Sequence, residues 1–544
     1  WTYKNNLWYT EYNEIRPVYK ISDGLSAIDL RNSPACLRWR HPMEFLSILD
    51  MKENPEKEKP RQVFLLDLNL YQIIDKINLY WGENLSSMYC CLPADPLCED
   101  YRREVYADIR QEALYSILCS LLDQMKERRE IFAKKTEVTL ELQKQVWHLQ
   151  EIACYCGAFR RLARELEALP LKSKGMLAFR AYLRNYVESG RFRDMEKRSG
   201  QLLEKMAGFR MKLIYENDRI TVLAEETEGT YECFLQNCFP GQNRQMRSPF
   251  RTDAGLTELE QELIRAFQKR SPDFFWETED FYKSYQEYAE DTLIRFSSEI
   301  RYYLAFYRFQ QKMQEKGFSF ATPSLDENRE LSARGLYDLA LACSRGSGTE
   351  QIVSNDMYFG SKESFFVLTG PNQGGKTTFA RSLGQLVYFT KMGLDVPASA
   401  ANVHRFSRIL THFSVEESPD TGRGRLKEEL TRLAPMMEAK FHTEAPCFVV
   451  INELFTTAAN YDACIMGRRV LEHFITAGCR GIYVTHLADL CQAHPQVVSL
   501  RALADEQGRR TFRIRRSTAE STAGADQLAE KHKLTYQQLK ERLS

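Results

Sequence analysis

The octapeptide Gly370-Pro-Asn-Gln-Gly-Gly375-Lys376-Thr377 constrains this chain more than any other feature. It follows the apolar run Phe365-Phe366-Val367-Leu368 and so matches the phosphate-binding pattern G-x-x-x-x-G-K-[ST] in its proper setting, a strand leading into a helix. Such a turn aims successive backbone N–H groups and a helix N-terminus at an anion, which ties the surrounding residues to an α/β layer architecture. Gly370, Gly374 and Gly375 suit a chain that approaches a ligand closely and visits positive φ. Lys376 supplies charge for the β and γ phosphates of ATP, the Thr377 hydroxyl suits Mg²⁺, and Thr378 adds a phosphate contact. Pro371, Asn372 and Gln373 complete the predicted cradle. The competing reading is a glycine turn that binds nothing.

The sequence beyond the loop keeps an alternating rhythm. Strands are expected at Cys447 to Ile451, at Ile482 to Thr485, around Val497 and at Phe512 to Ile514, with a helix through Gly467 to Phe474. The second strand ends at Asn452-Glu453. Glu453 is placed to orient or deprotonate an attacking water, and a carboxylate that only finishes the strand is the plainer alternative. Asn452 offers a neutral amide to Mg²⁺ and its waters, a weaker stabiliser than a carboxylate. His486 stands at the C-terminal end of the third strand, the ligand-facing edge of an open α/β sheet. Read alone it is an ordinary histidine; beside the loop and Glu453 it is a candidate γ-phosphate sensor.

A chain of 544 residues exceeds what one core serves, so two to four domains are expected. Its 74 basic and 74 acidic residues give no strongly basic surface, which leaves nucleic-acid binding without support from net charge. Cys90-Cys91, Cys98 and Cys154-x-Cys156 lack the paired spacing of metal knuckles and read as buried reduced thiols. The sequence has neither a charged leader with an apolar stretch nor 18 consecutive apolar residues, so a cytoplasmic protein is the default expectation. The chain starts at Trp1, which suggests that the true N-terminus is missing.

Residues 1–105 mix aromatics and prolines, with Val63 to Leu66 as the clearest strand candidate. Amphipathic helices are predicted from three stripes: Leu114, Leu118, Leu121 and Met125; Leu142, Val146, Leu149 and Ala153; and Leu202, Met206, Phe209 and Leu213. Arg219 to Leu223 reads as a short strand, and helices resume near Thr257. One long helix carries Leu293, Phe296, Ile300, Tyr303 and Tyr307 and ends near Gly317. Basic residues in Arg191 to Arg198 and Arg244 to Arg251 are candidate backbone contacts for DNA, although a solvated surface explains them as simply.

Several blocks together resemble the MutS family of DNA mismatch-repair ATPases, a branch of the ABC-type ATPases. They are Val353-x-Asn355-Asp356, Thr369 to Thr378, Val396-Pro397-Ala398 with Arg405 to Ile409, Asn452-Glu453 with Asp462, and Thr485-His486. The resemblance is specific for residues 340–544, and Lys316 to Pro323 extends it weakly toward residue 110. After a mixed region of unknown fold at 1–105, it implies an α+β and α/β multidomain chain: a helical core and lever at 106–335 with a reduced clamp, a P-loop ABC-type ATPase domain at 336–515, and a helical pair at 516–544. It also implies a homodimer with composite ATP sites. Pro419 to Leu430 resembles the signature block that approaches the partner's nucleotide, with Gly424 in the usual serine position and Arg425 as a substitute charge; without the resemblance this is a charge-rich helix start. Leu528, Leu534, Leu539 and Leu543 pack the terminal pair, either against a partner or into the monomer's own core.

The region before the helices holds no Phe-x-Glu wedge context, so mismatch recognition of the usual kind is not expected. Two functions remain. One is an ATPase whose closure moves helical arms around duplex or branched DNA. The other is a nucleotide-gated scaffold for a protein partner, with weak hydrolysis and no intrinsic DNA affinity. A metabolic kinase fits poorly with the long helical region upstream.

Overall fold

The computed structural model describes residues 45–50, 63–208 except 94, the strands 211–216 and 219–224, 264–345 except 270 and 327–328, 352–413, 425–438, and 446–517 except 506 and 508. The predicted helix resumption near Thr257, Phe209, Arg244 to Arg251, Gly424 and the leucines of the terminal pair lie outside the described residues.

The first described elements are helices: α1 (Val63–Asp67), α2 (Leu70–Trp81), α3 (Ser86–Tyr89) and α4 (Pro96–Ile109). The strand expected at Val63 to Leu66 is therefore wrong. Phe64, Leu65 and Leu68 are buried while Val63 and Leu66 are exposed, a one-sided pattern of helical period that four apolar residues in a row conceal. Helix α2 ends where Gly82, at φ 94°, returns its N–H to the Asn78 carbonyl. In α4 the Asp95 side chain accepts from Leu97 N and Pro96 fills the first turn.

Helices α5 (Glu112–Glu137) and α6 (Glu141–Glu167) form a long hairpin, each about 40 Å at 1.5 Å per residue. Leu114, Leu118, Leu121 and Met125 are buried as expected. The α6 stripe is rotated: Leu149 is buried, but its companions are His148, Ile152, Tyr155 and Phe159, because α6 carries neighbours on more than one side. Helices α7 (Lys174–Glu188) and α8 (Gly190–Gly208) follow, then the antiparallel hairpin β1 (Met211–Glu216) and β2 (Arg219–Ala224). The third stripe thus ends early. Leu202 is buried on α8, whereas Leu213 belongs to β1. Arg191 donates to the Glu287 carbonyl at 2.5 Å and Arg198 pairs with Asp280 at 2.7 Å.

Three further helices are α9 (Pro272–Ser284), α10 (Asp291–Glu299) and α11 (Arg301–Glu315). The single long helix expected there is two, joined at Ile300, and the chain leaves α11 through Gly317 at φ 88°.

The remaining elements are β3 (Ser324–Asp326), β4 (Leu331–Leu336), α12 (Leu339–Ser344), β5 (Asn355–Phe359), β6 (Phe365–Thr369), α13 (Lys376–Lys391), β7 (Ala400–His404), β8 (Ile409–Phe413), α14 (Arg425–Met437), β9 (Phe448–Asn452), α15 (Asn460–Thr476), β10 (Arg480–Val484), β11 (Val497–Ala504) and β12 (Arg510–Arg516). A six-stranded sheet runs β12-β11-β6-β10-β9-β8, parallel except for β12, and a four-stranded sheet runs β3-β7-β4-β5. The large sheet is covered on both faces. Phe366, Leu368, Val450, Ile482 and Val484 join the core shared with the upstream helices, and Phe365, Val367, Val449, Ile451 and Tyr483 join a second core under α15.

Buried tyrosines join the helical region to α13, the helix that follows β6. Tyr89 donates to the Tyr302 carbonyl at 2.6 Å, Tyr388 to the Tyr89 carbonyl at 2.6 Å, and Tyr302 to the Met392 carbonyl at 2.7 Å. Lys391 at the end of α13 meets Glu99 of α4 at 2.5 Å, both almost wholly buried. Among the described cysteines all are free; Cys98 and Cys156 are buried, and Cys90, Cys91 and Cys154 are half-buried. No helix among the described residues is long and apolar enough to cross a membrane.

Candidate functional site

Strand β6 delivers the chain to Gly370 at φ 133°, where a Cβ would lie 2.9 Å from the Ala502 side chain and 3.0 Å from its carbonyl oxygen. The turn continues through Gln373 at φ 61° and closes at Gly375, φ 89°, which caps α13. A side chain at Gly374 would come within 2.9 Å of the Pro371 oxygen. The loop is thus a bare backbone concavity at the start of a sixteen-residue helix. Pro371, Asn372 and Gln373 are exposed at its rim.

Lys376 is buried, and its ammonium donates to the Gly370 carbonyl at 2.8 Å, the Pro371 carbonyl at 3.3 Å and Asn372 Oδ1 at 3.4 Å. Burial lowers its pKa from the usual lysine value, against the pull of the nearby Glu453 charge. Incoming phosphate oxygens would be stronger acceptors for that ammonium than neutral carbonyls.

Parallel pairing sets the rest. Strand β10 lies between β6 and β9, with Val484 in register with Leu368 on one side and Asn452 on the other. Asn452 is buried, and its Oδ1 accepts from the Thr377 hydroxyl at 3.0 Å. The two residues predicted to attend Mg²⁺ are therefore in contact. Glu453 follows at φ 52°, its N–H bonded to the Val484 carbonyl at 2.9 Å, and its half-buried carboxylate stands near Lys376. Thr485 donates its N–H to Leu368 O at 3.0 Å and its hydroxyl accepts from Leu487 N at 3.1 Å, and these two bonds bracket exposed His486.

No group of three or more His, Cys, Asp or Glu side chains among the described residues could cage a metal. The donor set fits Mg²⁺ of the kind that keeps most of its waters and takes one hydroxyl and phosphate oxygens.

A cavity of about 150 Å³ adjoins the loop, walled by Tyr337, Val353, Thr378, Phe379 and Phe512. Phe512 holds φ 56°, fixed by Asn355, whose Nδ2 donates to Phe512 O at 3.2 Å and whose Oδ1 accepts from Ile514 N at 2.8 Å. The sequence marked Asn355 only as part of a recognisable block and gave Phe512 no role. Glu429 was missed as well; it sits on α14, and its carboxylate accepts from Phe455 N at 3.0 Å. Arg425 opens α14 at the boundary of the described residues.

A glycine-rich loop between a parallel strand and a helix, with a strand ending in Asn-Glu one place removed in the same sheet, is the arrangement of an ATPase-like α/β domain. Residues 366–526 match the family model for MutS domain V. The DNA mismatch repair protein MutS of Thermotoga neapolitana is 26% identical over 215 residues, 38% of this chain and 26% of that protein. The DNA mismatch repair protein MSH6 of Arabidopsis thaliana is 33% identical over 174 residues, 31% of this chain and 13% of that protein. The chain thus spans about a quarter or less of the length of these relatives. These matches support membership of the MutS superfamily.

Proposed function

We propose that the chain is a MutS-like, ABC-type ATPase that binds ATP with Mg²⁺ and uses hydrolysis to drive closure of a homodimer onto duplex or branched DNA. The observation that carries this reading is the Thr377–Asn452 hydrogen bond, which brings the phosphate loop and the Asn452-Glu453 strand end together in one site. In this reading the backbone N–H groups of the loop from Asn372 to Thr378 bind the phosphates, Lys376 neutralises the β and γ oxygens, and the cavity beside Phe512 takes the base. Mg²⁺ held through Thr377 would supply charge neutralisation to the β and γ phosphates. Glu453 accepts a proton from the attacking water, and His486 reports the γ phosphate. Gly424 and Arg425 complete the partner's site, and the cell compartment is the cytoplasm.

Asn452 favours a second reading, a nucleotide-gated scaffold with weak hydrolysis and no DNA affinity of its own. Its neutral amide faces Thr377 where a carboxylate would hold magnesium's waters more strongly. Steady-state ATP hydrolysis by the full chain and by Lys376→Ala and Glu453→Gln separates the two, with and without DNA at one low salt concentration. DNA-stimulated turnover lost in both variants supports the first. Tight ATP binding without turnover under any condition refutes it and supports the scaffold.

A further inference from the structure

The segment after β9 is backbone-strained. Glu453 at φ 52° and Phe455 at φ 63° both occupy the left-handed region, which bulky L-residues rarely adopt, and they are separated only by the buried Leu454. Such a conformation persists only where its surroundings over-determine it. Two bonds do so: Glu453 N–H to the Val484 carbonyl at 2.9 Å, and Phe455 N–H to Glu429 Oε2 at 3.0 Å. The first anchor is a strand of the same sheet. The second is the side chain of a different element, helix α14.

We propose that Glu429 is a positioning residue which holds Glu453 in its left-handed backbone, so that water activation depends on where α14 sits. This rests on the reading of Glu453 as the group that activates water. Glu429 is only 4% exposed, and α14 is fastened independently at that point: His412 Nε2 lies 3.3 Å from the Glu429 carbonyl, and Arg432 donates to the Phe413 carbonyl at 2.7 Å and to Asp67 of α1 at 3.4 Å. A shift of α14 along β8 pulls the acceptor from Phe455 and releases the strained turn. Glu453 then leaves the neighbourhood of Lys376, while the phosphate loop, held by β6 and α13, stays in place. The device therefore regulates turnover and leaves ATP binding alone.

The test uses the full chain, with ATP and Mg²⁺ as probes. Glu429→Met fills the same space without an acceptor; Glu429→Gln keeps one. Displacing a catalytic group by about 1 Å costs on the order of a hundredfold, so Glu429→Met is expected to lower kcat at least about tenfold. Its KM and the affinity for a fluorescent ATP analogue should stay unchanged, and Glu429→Gln should restore most of the turnover. Equal kcat in Glu429→Met and wild type overturns the proposal, as does a loss confined to KM or to nucleotide affinity. Should the Met variant not fold, Glu429→Asp carries the test by withdrawing the carboxylate one methylene; wild-type turnover per bound nucleotide then overturns it. Full activity in Glu453→Gln sinks the catalytic reading itself, whereas a dead Glu453→Gln beside a fully active Glu429→Met sinks only this inference.

Discussion

Replacing Lys391 by Met should destabilise the protein far more than replacing Lys391 and Glu99 together by apolar residues. Lys391 Nζ lies 2.5 Å from Glu99 Oε1 and also donates to the Phe406 carbonyl at 2.7 Å. Both side chains are 4% exposed or less. In Lys391→Met the Glu99 carboxylate keeps Arg405, at 3.9 Å and 32% exposed, where solvent screens the attraction, and the more distant charge of Arg103. Stranding one charge of a buried pair costs about 3–5 kcal/mol. In the double variant Lys391→Met with Glu99→Leu no charge is stranded. The residual cost is the unpaired Phe406 carbonyl, about 1–3 kcal/mol. The two single changes should therefore sum to roughly 6–10 kcal/mol, against a double variant several kcal/mol milder. Urea unfolding at neutral pH, followed by circular dichroism and tryptophan fluorescence with coincident transitions, measures all four corners of the cycle. A double variant as destabilised as the sum of the singles would falsify the argument, because the pair would then be two independent contacts.

Protonation of two buried histidines should set an acid limit. Burial lowers the pKa of both His148 and His412 from 6.5 to about 4, with Lys135 and Arg432 respectively adding to the effect. Between those values the unfolded chain binds protons that the folded chain refuses. The stabilisation is therefore complete above pH 6.5 and disappears as pH falls through 4, on the order of 3 kcal/mol per histidine. A pH series of urea midpoints checks this, with a flatter slope expected in His412→Gln. Gly374→Ala should abolish binding of a fluorescent ATP analogue while leaving the melting temperature close to wild type, since its Cβ would meet the Pro371 oxygen at 2.9 Å within the loop. Asn452→Asp should tighten Mg²⁺ dependence and raise turnover, read as a lower half-saturating Mg²⁺ concentration; an unchanged value would show that position 452 does not attend the metal.

The strands around the phosphate loop were legible because each is an apolar run that stops at polar residues: Leu368 before Thr369-Gly370, Ile451 before Asn452-Glu453, Val484 before Thr485-His486. Buried parallel strands have to be written this way, and the four α5 leucine and methionine positions were equally plain. The Val63 to Leu66 run failed for the opposite reason. Four apolar residues carry no period, and only the burial of Phe64, Leu65 and Leu68 against the exposure of Leu66 identifies a helix. The left-handed turns at Glu453, Phe455 and Phe512 had no Gly or Asn to announce them. Glu429 and Asn355 act through contacts 26 and 157 residues distant in sequence, to Phe455 and Phe512, and no local pattern encodes such partners.

The tyrosine bonds between Tyr89, Tyr302 and Tyr388, with the Lys391–Glu99 pair beside them, also decide what can be separated from what. The part that carries the phosphate loop is not a portable cassette. Cut free near residue 336, it would turn Tyr388, Phe389 and Met392, now 1% exposed or less, out to water. The same seam is one continuous buried cluster, with Tyr89, Tyr302, Tyr388 and Met392 among its members. Beyond it the paired helices α5 and α6 extend for some 40 Å.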